Sequence, residues 1–221
     1  MKKIAIIGGV ITAVIAISAG IIYSMNTDFS TSDSNMQRKY GTVDTTMGSP
    51  LMGSSSAPIT IIEFGDYQCP QCDKWFKTVR PDIEEQYIET GKANLYFVDL
   101  AFFGPDSKDA AEASYCAGDQ DKYWEYHNIL YSNQQGINDG WANPDNLKKF
   151  ASQLNLDRDL FDSCLDSDKY QKRVERNVLE AKRNGASGTP TFIIVGSDGS
   201  QRMIEGAQPF SVFKQVLDSM A

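Results

Sequence analysis

The feature that most constrains this chain is Cys69-Pro70-Gln71-Cys72, two cysteines spaced by two residues where a strand pattern gives way to a helix pattern. Residues 59–64 (ITIIEF) are short and rich in β-branched side chains, as a buried strand is. A helix is expected from residue 70 to about residue 90, bent or interrupted at Pro81 and ended by Gly91, where a left-handed cap is least costly. Pro70 suits the first helical position, since it has no N–H to leave unpaired and its φ is preset. Cys69 then sits at the helix N-terminus, where free backbone N–H groups and the helix dipole favour a thiolate and lower its pKa. Cys72 projects to the same side of the first turn and is the less exposed of the two. Such a dithiol attacks through Cys69 and resolves through Cys72, passing through a mixed disulfide.

Two further residues bear on that chemistry. Glu63 interrupts an apolar strand, a place from which desolvation cost normally excludes a carboxylate. Either it is a buried acid under the motif that takes and gives the proton of Cys72, or it lies on a solvated edge. Thr189-Pro190 follows the stretch Gly185-Ala186-Ser187-Gly188 and directly precedes a strand pattern. A cis bond there would hold an open backbone beside the motif for an extended client, and an ordinary trans proline opening a strand is the other reading.

Around these residues the elements alternate. Residues 94–103 (NLYFVDLAFF) read as a second strand and its exit, and residues 106–184 as a helical block. Within the block, helices are expected over 110–134, from the Asn143-Pro144 cap to residue 154, and over 159–183, the last ended by Gly185. Strand residues 191–195, a turn at 197–199 and a return through 202–205 make a hairpin. Residues 209–220 close the chain with a helix carrying Phe210, Phe213, Val216 and Leu217 on one face. The whole is an α/β unit of the order strand, helix, strand, helical insertion, hairpin, helix.

Ahead of this body, residues 4–23 form an uncharged run of 20 residues, which as a helix spans ~30 Å and crosses a bilayer. Its apolar core is longer than that of a cleaved signal, and the small residues Ser18-Ala19-Gly20 lie within the run, which favours an uncleaved anchor with Lys2 and Lys3 in the cytoplasm; cleavage would instead release the body. Residues 24–56 contain 16 Ser, Thr or Gly among 33 and are expected to be a flexible tether, with the folded domain running from 57 to 221.

The charge balance is 29 Asp+Glu against 21 Lys+Arg, a formal net charge of −8, and the acidic excess falls on the body, which speaks against nucleic acid as a partner. His127 is the sole histidine, so no Cys/His metal set is indicated, and no cofactor is expected. Tyr123, Trp124, Tyr126 and Tyr131 surround it at helical spacing and read as core between insertion and sheet. Asp66 precedes the motif with Tyr67, and serves as a helix cap, a tuner of Cys69 or a plain turn residue.

At these residues the chain resembles the DsbA-like branch of the thioredoxin superfamily: GSPLMGSSSAPITIIEFGDYQCPQC, the helical insertion and GASGTPTFIIVG occur in that order, from about residue 48 to the C-terminus. The resemblance implies a thioredoxin-like fold with a helical insertion, and assigns Cys69 as nucleophile, Cys72 as resolving thiol, Glu63 as the acid beneath the motif, and Thr189 with a cis Pro190 as the contact to the attacking sulfur. It also implies a structural disulfide between Cys116 and Cys164, in place of two free or relay thiols; at a separation of 48 residues that bond is worth roughly 4 kcal/mol in the chain-entropy model. Gln71 departs from the Cys-Pro-His-Cys of strongly oxidising members, because an amide cannot set an imidazolium beside the thiolate. The expected activity is a membrane-tethered, extracytoplasmic thiol–disulfide oxidoreductase. It would act on unfolded or reduced exported proteins and be reset by a membrane redox partner. The alternatives are a reductase on the same fold and a Cu(I)-type metal chaperone.

Overall fold

The computed structural model describes residues 43–220. The apolar run at 4–23 and the tether as far as residue 42 lie outside the described residues. Among the described residues no helix is long and apolar enough to cross a membrane.

The sheet is built from β1 (Ile59–Gly65), β2 (Ala93–Asp99), β3 (Thr191–Val195) and β4 (Gln201–Glu205), in the order β2-β1-β3-β4. β1 pairs parallel with β2 and antiparallel with β3, and β3 pairs antiparallel with β4. Every residue of β1 is buried, as a central strand covered on both faces requires. The parallel β1–β2 pair needs a crossover, supplied by α1 (Pro70–Thr78), the short α2 (Arg80–Ile83) and a π-helical turn at Glu84–Ile88. The break falls at Val79 (φ −123°), two residues before Pro81, whose ring crowds the carbonyl four residues back and which has no N–H to donate to it.

The insertion comprises α3 (Pro105–Gly118), α4 (Tyr123–Ser132), α5 (Pro144–Gln153), α6 (Arg158–Asp166) and α7 (Gln171–Arg183), and the chain closes with α8 (Phe210–Met220). Two expected helices are thus each split. The splits fall at Asp121 (φ 59°) and Asp168 (φ 51°), where an aspartate takes the left-handed turn that elsewhere falls to glycine, as at Gly185 (φ 85°). The Asn143-Pro144 start is as read, with the Asn143 side chain accepting from Asn146 N.

Residues 43–56, expected within the tether, belong to the domain instead. The outer edge of β2 carries unpaired backbone groups, and this segment satisfies them: Ser49 N donates to Phe97 O at 2.8 Å, and Met52 exchanges two bonds of 3.0 Å with Leu95. Val43 is buried against the sheet with Ile62, Phe64 and Val98. A second cluster joins Ile59 and Ile61 to Trp75, Phe192 and Phe213 under α1 and α8. A third fills the insertion around Tyr126, Tyr131 and Phe161, and reaches Cys69 and Cys72.

Candidate active site

β1 stops at Gly65, and four residues later Cys69 is the N-cap of α1 in extended geometry (φ −74°, ψ 118°) with Pro70 as first helical residue. Glycine is needed at 65 because a Cβ there would lie 2.3 Å from Cε2 of Phe97. The intervening turn is fixed by Asp66. Its Oδ1 accepts from Gln68 N (2.8 Å) and Ser107 Oγ (2.7 Å), and its Oδ2 from Phe102 N (2.9 Å) and Phe103 N (3.3 Å). Asp66 is therefore a buried clamp that ties the turn before the motif to the exit of β2 and the start of α3; its backbone oxygen accepts from Cys69 N at 3.0 Å.

Cys69 and Cys72 are both free thiols, and both are buried, with Pro70 and Gln71 exposed between them. Cys69 is held down to about 6, chiefly by its hydrogen bond with Cys72, with help from contact with Thr189 and from the backbone N–H groups of Cys72 and Gln71. Cys72 is pushed well above its ordinary value by burial, and then by the neighbouring Cys69 and Glu63. The pair is thus poised with a thiolate on the first sulfur and a proton on the second. The Cys69 thiol lies 3.3 Å from Thr189 O, and the Thr189–Pro190 bond is cis. Pro190 O accepts from Gly206 N (2.8 Å), which pins this turn to the end of β4.

Glu63 is only 2% exposed, in the middle of the central strand between Phe97 on β2 and Phe192 on β3. That rules out a solvated edge. Burial raises it to about 8, opposed by the charge of Arg80 and reinforced by Cys69, and its Oε1 has no hydrogen-bond partner among the described residues. A carboxyl that changes protonation near neutral pH, beside a thiol that resists losing its proton, fits a proton exchanger for Cys72.

The sequence-derived residues therefore converge: Cys69, Cys72, Glu63, Thr189 and Pro190 meet at one end of the sheet. Cys116 and Cys164 are bonded to each other (Cα–Cα 5.8 Å), joining α3 to α6. His127 is buried, receives or donates one bond with Tyr67 OH at 3.0 Å, and is held neutral by burial and by Arg80. Tyr123, Tyr126 and Tyr131 are core, and Trp124 is half-buried with Nε1 donating to Pro50 O. Among the described residues no group of three or more His, Cys, Asp or Glu is placed to hold a metal ion. Sequence reasoning missed Arg80, which reads as a surface residue of a helix and is 3% exposed, and Ser107, which no motif marks.

Comparison with known proteins agrees with this geometry. The family model described as thioredoxin matches residues 45–219. A probable disulfide bond formation protein D of Bacillus cereus is 32% identical over 151 residues, covering 66% of this chain and 69% of that protein. The disulfide bond formation protein D of Bacillus subtilis is 27% identical over 174 residues, covering 77% and 76%. Among solved structures, oxidised BdbD of Bacillus subtilis superposes with a TM-score of 0.73 at 24% identity, over 82% of this chain and 96% of that one, and DsbA of Chlamydia trachomatis with 0.67 at 25% identity, over 77% and 90%.

Proposed function

Because this chain belongs to the DsbA-like branch of the thioredoxin family and is a thiol–disulfide oxidoreductase, we propose that it forms or isomerises disulfides in exported proteins through Cys69 and Cys72, from a membrane tether. The observation that carries this reading is the opposed protonation of the two sulfurs over a buried carboxyl. A thiolate stabilised at Cys69 favours the dithiol over the disulfide, so the oxidised pair gives its disulfide away readily. In that direction a client thiolate attacks Cys69, Cys72 leaves and takes a proton from Glu63, and a second client thiolate then releases Cys69 with the client disulfide formed.

Thr189 O, 3.3 Å from the reacting sulfur, supports recognition of an extended client backbone beside Cys69. Phe102, 45% exposed on the loop clamped by Asp66, adds apolar surface near the motif. The apolar run at residues 4–23, with Lys2 and Lys3 ahead of it, supports a single-pass anchor with the catalytic domain outside the cytoplasm, where a membrane partner would reoxidise the dithiol. Names describing disulfide formation among the Bacillus relatives favour the forming direction over the reducing one.

The test is a Cys72→Ala variant expressed with its own signal. It is expected to accumulate mixed disulfides between Cys69 and exported proteins, resolved on non-reducing gels and absent in a Cys69→Ser control. A Cys72→Ala variant that traps no client would overturn the reading.

A further inference from the structure

Between α3 and α7 lies a cleft of about 330 Å3, none of whose lining residues belongs to the dithiol machinery. Val174, Val178 and Leu179 of α7 give it an apolar wall, and Lys108 and Glu112 of α3 with Glu175 of α7 give it charge. The spacing makes it so: residues 108 and 112, like 174 and 178, are one helical turn apart and share a side of their helix. Leu179 is 66% exposed, the most exposed large apolar side chain among the described residues. A cavity of this size, mostly apolar with a few polar groups, has the form of a small-ligand site.

Glu112 sets what such a ligand must carry. Its side chain is only 5% exposed, and its Oε2 is buried with no partner among the described residues. A carboxylate oxygen out of water is costly unless a proton or a cation comes to it. Lys108, one turn back on the same helix, is exposed and leaves that oxygen unpartnered. The groups that face Glu112 are Lys108 and Asp109 on α3, Asp168 and the backbone of Tyr170 between α6 and α7, and Glu175 on α7. Three carboxylates thus stand around it against one ammonium. Burial, then Asp168 and Asp109, raises Glu112 to about 7, so the cleft gains a negative charge as the pH passes neutrality.

We propose that this cleft binds an alkylammonium group, its head on Glu112 and its chain along Val174, Val178 and Leu179. An anion meets three carboxylates there, and a neutral alcohol gives Glu112 no charge partner. A bare metal ion finds too few ligands: among the described residues no group of three or more His, Cys, Asp or Glu is placed to hold one, and the apolar wall offers it no oxygen. A lysine side chain of another protein and a free alkylamine share the required chemistry. Ala101 also borders the cleft, and Phe102 after it donates its N–H to Asp66, so an occupant lies along the loop that is tied to the turn before Cys69.

The test is a titration of the full-length oxidised protein, methyl-labelled at Val and Leu, with n-butylamine, butan-1-ol, butyrate and the dipeptide acetyl-leucyl-lysine amide, followed by NMR. Butylamine is expected to shift the Val174, Val178 and Leu179 methyls saturably and to bind about tenfold or more tighter than butanol, with butyrate weakest. Its affinity should be roughly tenfold lower at pH 6 than at pH 8, because the amine stays charged while Glu112 takes up a proton. Glu112→Gln should abolish both the preference for amine over alcohol and the pH dependence, while exchange with oxidised glutathione keeps its wild-type rate and shows the fold intact. Leu179→Ser, a surface change, should weaken amine and alcohol alike. A dipeptide that binds tighter than butylamine assigns the site to a lysine of another protein, and one that binds more weakly assigns it to a free amine; each supports the proposal. Equal affinity for amine and alcohol in the wild type, an amine preference that survives Glu112→Gln, or methyls that do not move would each overturn it.

Discussion

Two carboxylates, Glu63 on β1 and Asp99 at the end of β2, are buried in one sheet and differ in what surrounds them. Asp99 Oδ2 accepts from Tyr115 OH and from Asn177 Nδ2, and the Arg173 guanidinium sits 4.0 Å over the Tyr115 ring. Burial raises Asp99, and these partners limit the rise to about 6. At Glu63 burial acts with the charge of Arg80 as the main counterweight, and the result is about 8. Asp99 locks α3 and α7 of the insertion to the sheet. Each carboxyl keeps one oxygen without a partner among the described residues, Asp99 Oδ1 and Glu63 Oε1, but only Asp99 has side-chain donors on its other oxygen, and Glu63 lies beside the dithiol. The same residue chemistry thus serves as a joint where donors converge and as a proton carrier where they are withheld.

Removing the joint is the largest expected effect. Asp99→Ala strands Tyr115 and Asn177 and is expected to cost ~3–5 kcal/mol in denaturant unfolding, with the exchange rate of the folded fraction unchanged. A cost below ~1 kcal/mol would erase the contrast. Glu63→Gln should act with the opposite sign. In the wild type the native state keeps the Glu63 proton up to about pH 8, whereas the unfolded chain loses it near 4.5, so stability is highest below 4.5 and falls as pH rises to about 8. The amide removes that slope, with an expected gain of roughly 2–4 kcal/mol at pH 9, while exchange slows by roughly ten- to a hundredfold. Asp99 adds a slope of the same sign between 3.8 and about 6, which persists in Glu63→Gln and vanishes in Asp99→Asn.

Smaller changes sharpen the picture around the motif. Asp66→Ala loses the clamp on Gln68, Ser107 and the Phe102–Phe103 backbone, and ~1–3 kcal/mol of stability with it, read by thermal unfolding. Gln71→His is the mildest: at an exposed position it should leave stability within ~0.5 kcal/mol, while its imidazolium lowers the Cys69 pKa below about 6, read by the pH dependence of alkylation.

Much of the candidate site was legible in the sequence because its parts are local. Cys69, Pro70 and Cys72 share one helical turn, Glu63 breaks an apolar strand, and Thr189-Pro190 opens another. What stayed hidden depends on tertiary contact. Arg80 looks like any arginine of an amphipathic helix, and only the packing of α4 and residues 50–52 around it makes it a buried charge. The polar composition of residues 43–56 suggests a tether, and what orders them is the free edge of β2, a partner far along the chain. The sequence pattern of two insertion helices runs on without a break because Asp121 and Asp168, unlike glycine, do not announce a left-handed turn.

The central claim, that this dithiol donates disulfides, is tested most directly by the reduction potential of the Cys69/Cys72 couple in the full-length protein, equilibrated in glutathione buffers with Cys116 and Cys164 followed by thiol labelling. The thiolate at Cys69 calls for a value of about −120 to −180 mV, in the range of oxidases and isomerases. A value near about −270 mV would make this active site a reductase and contradict the account.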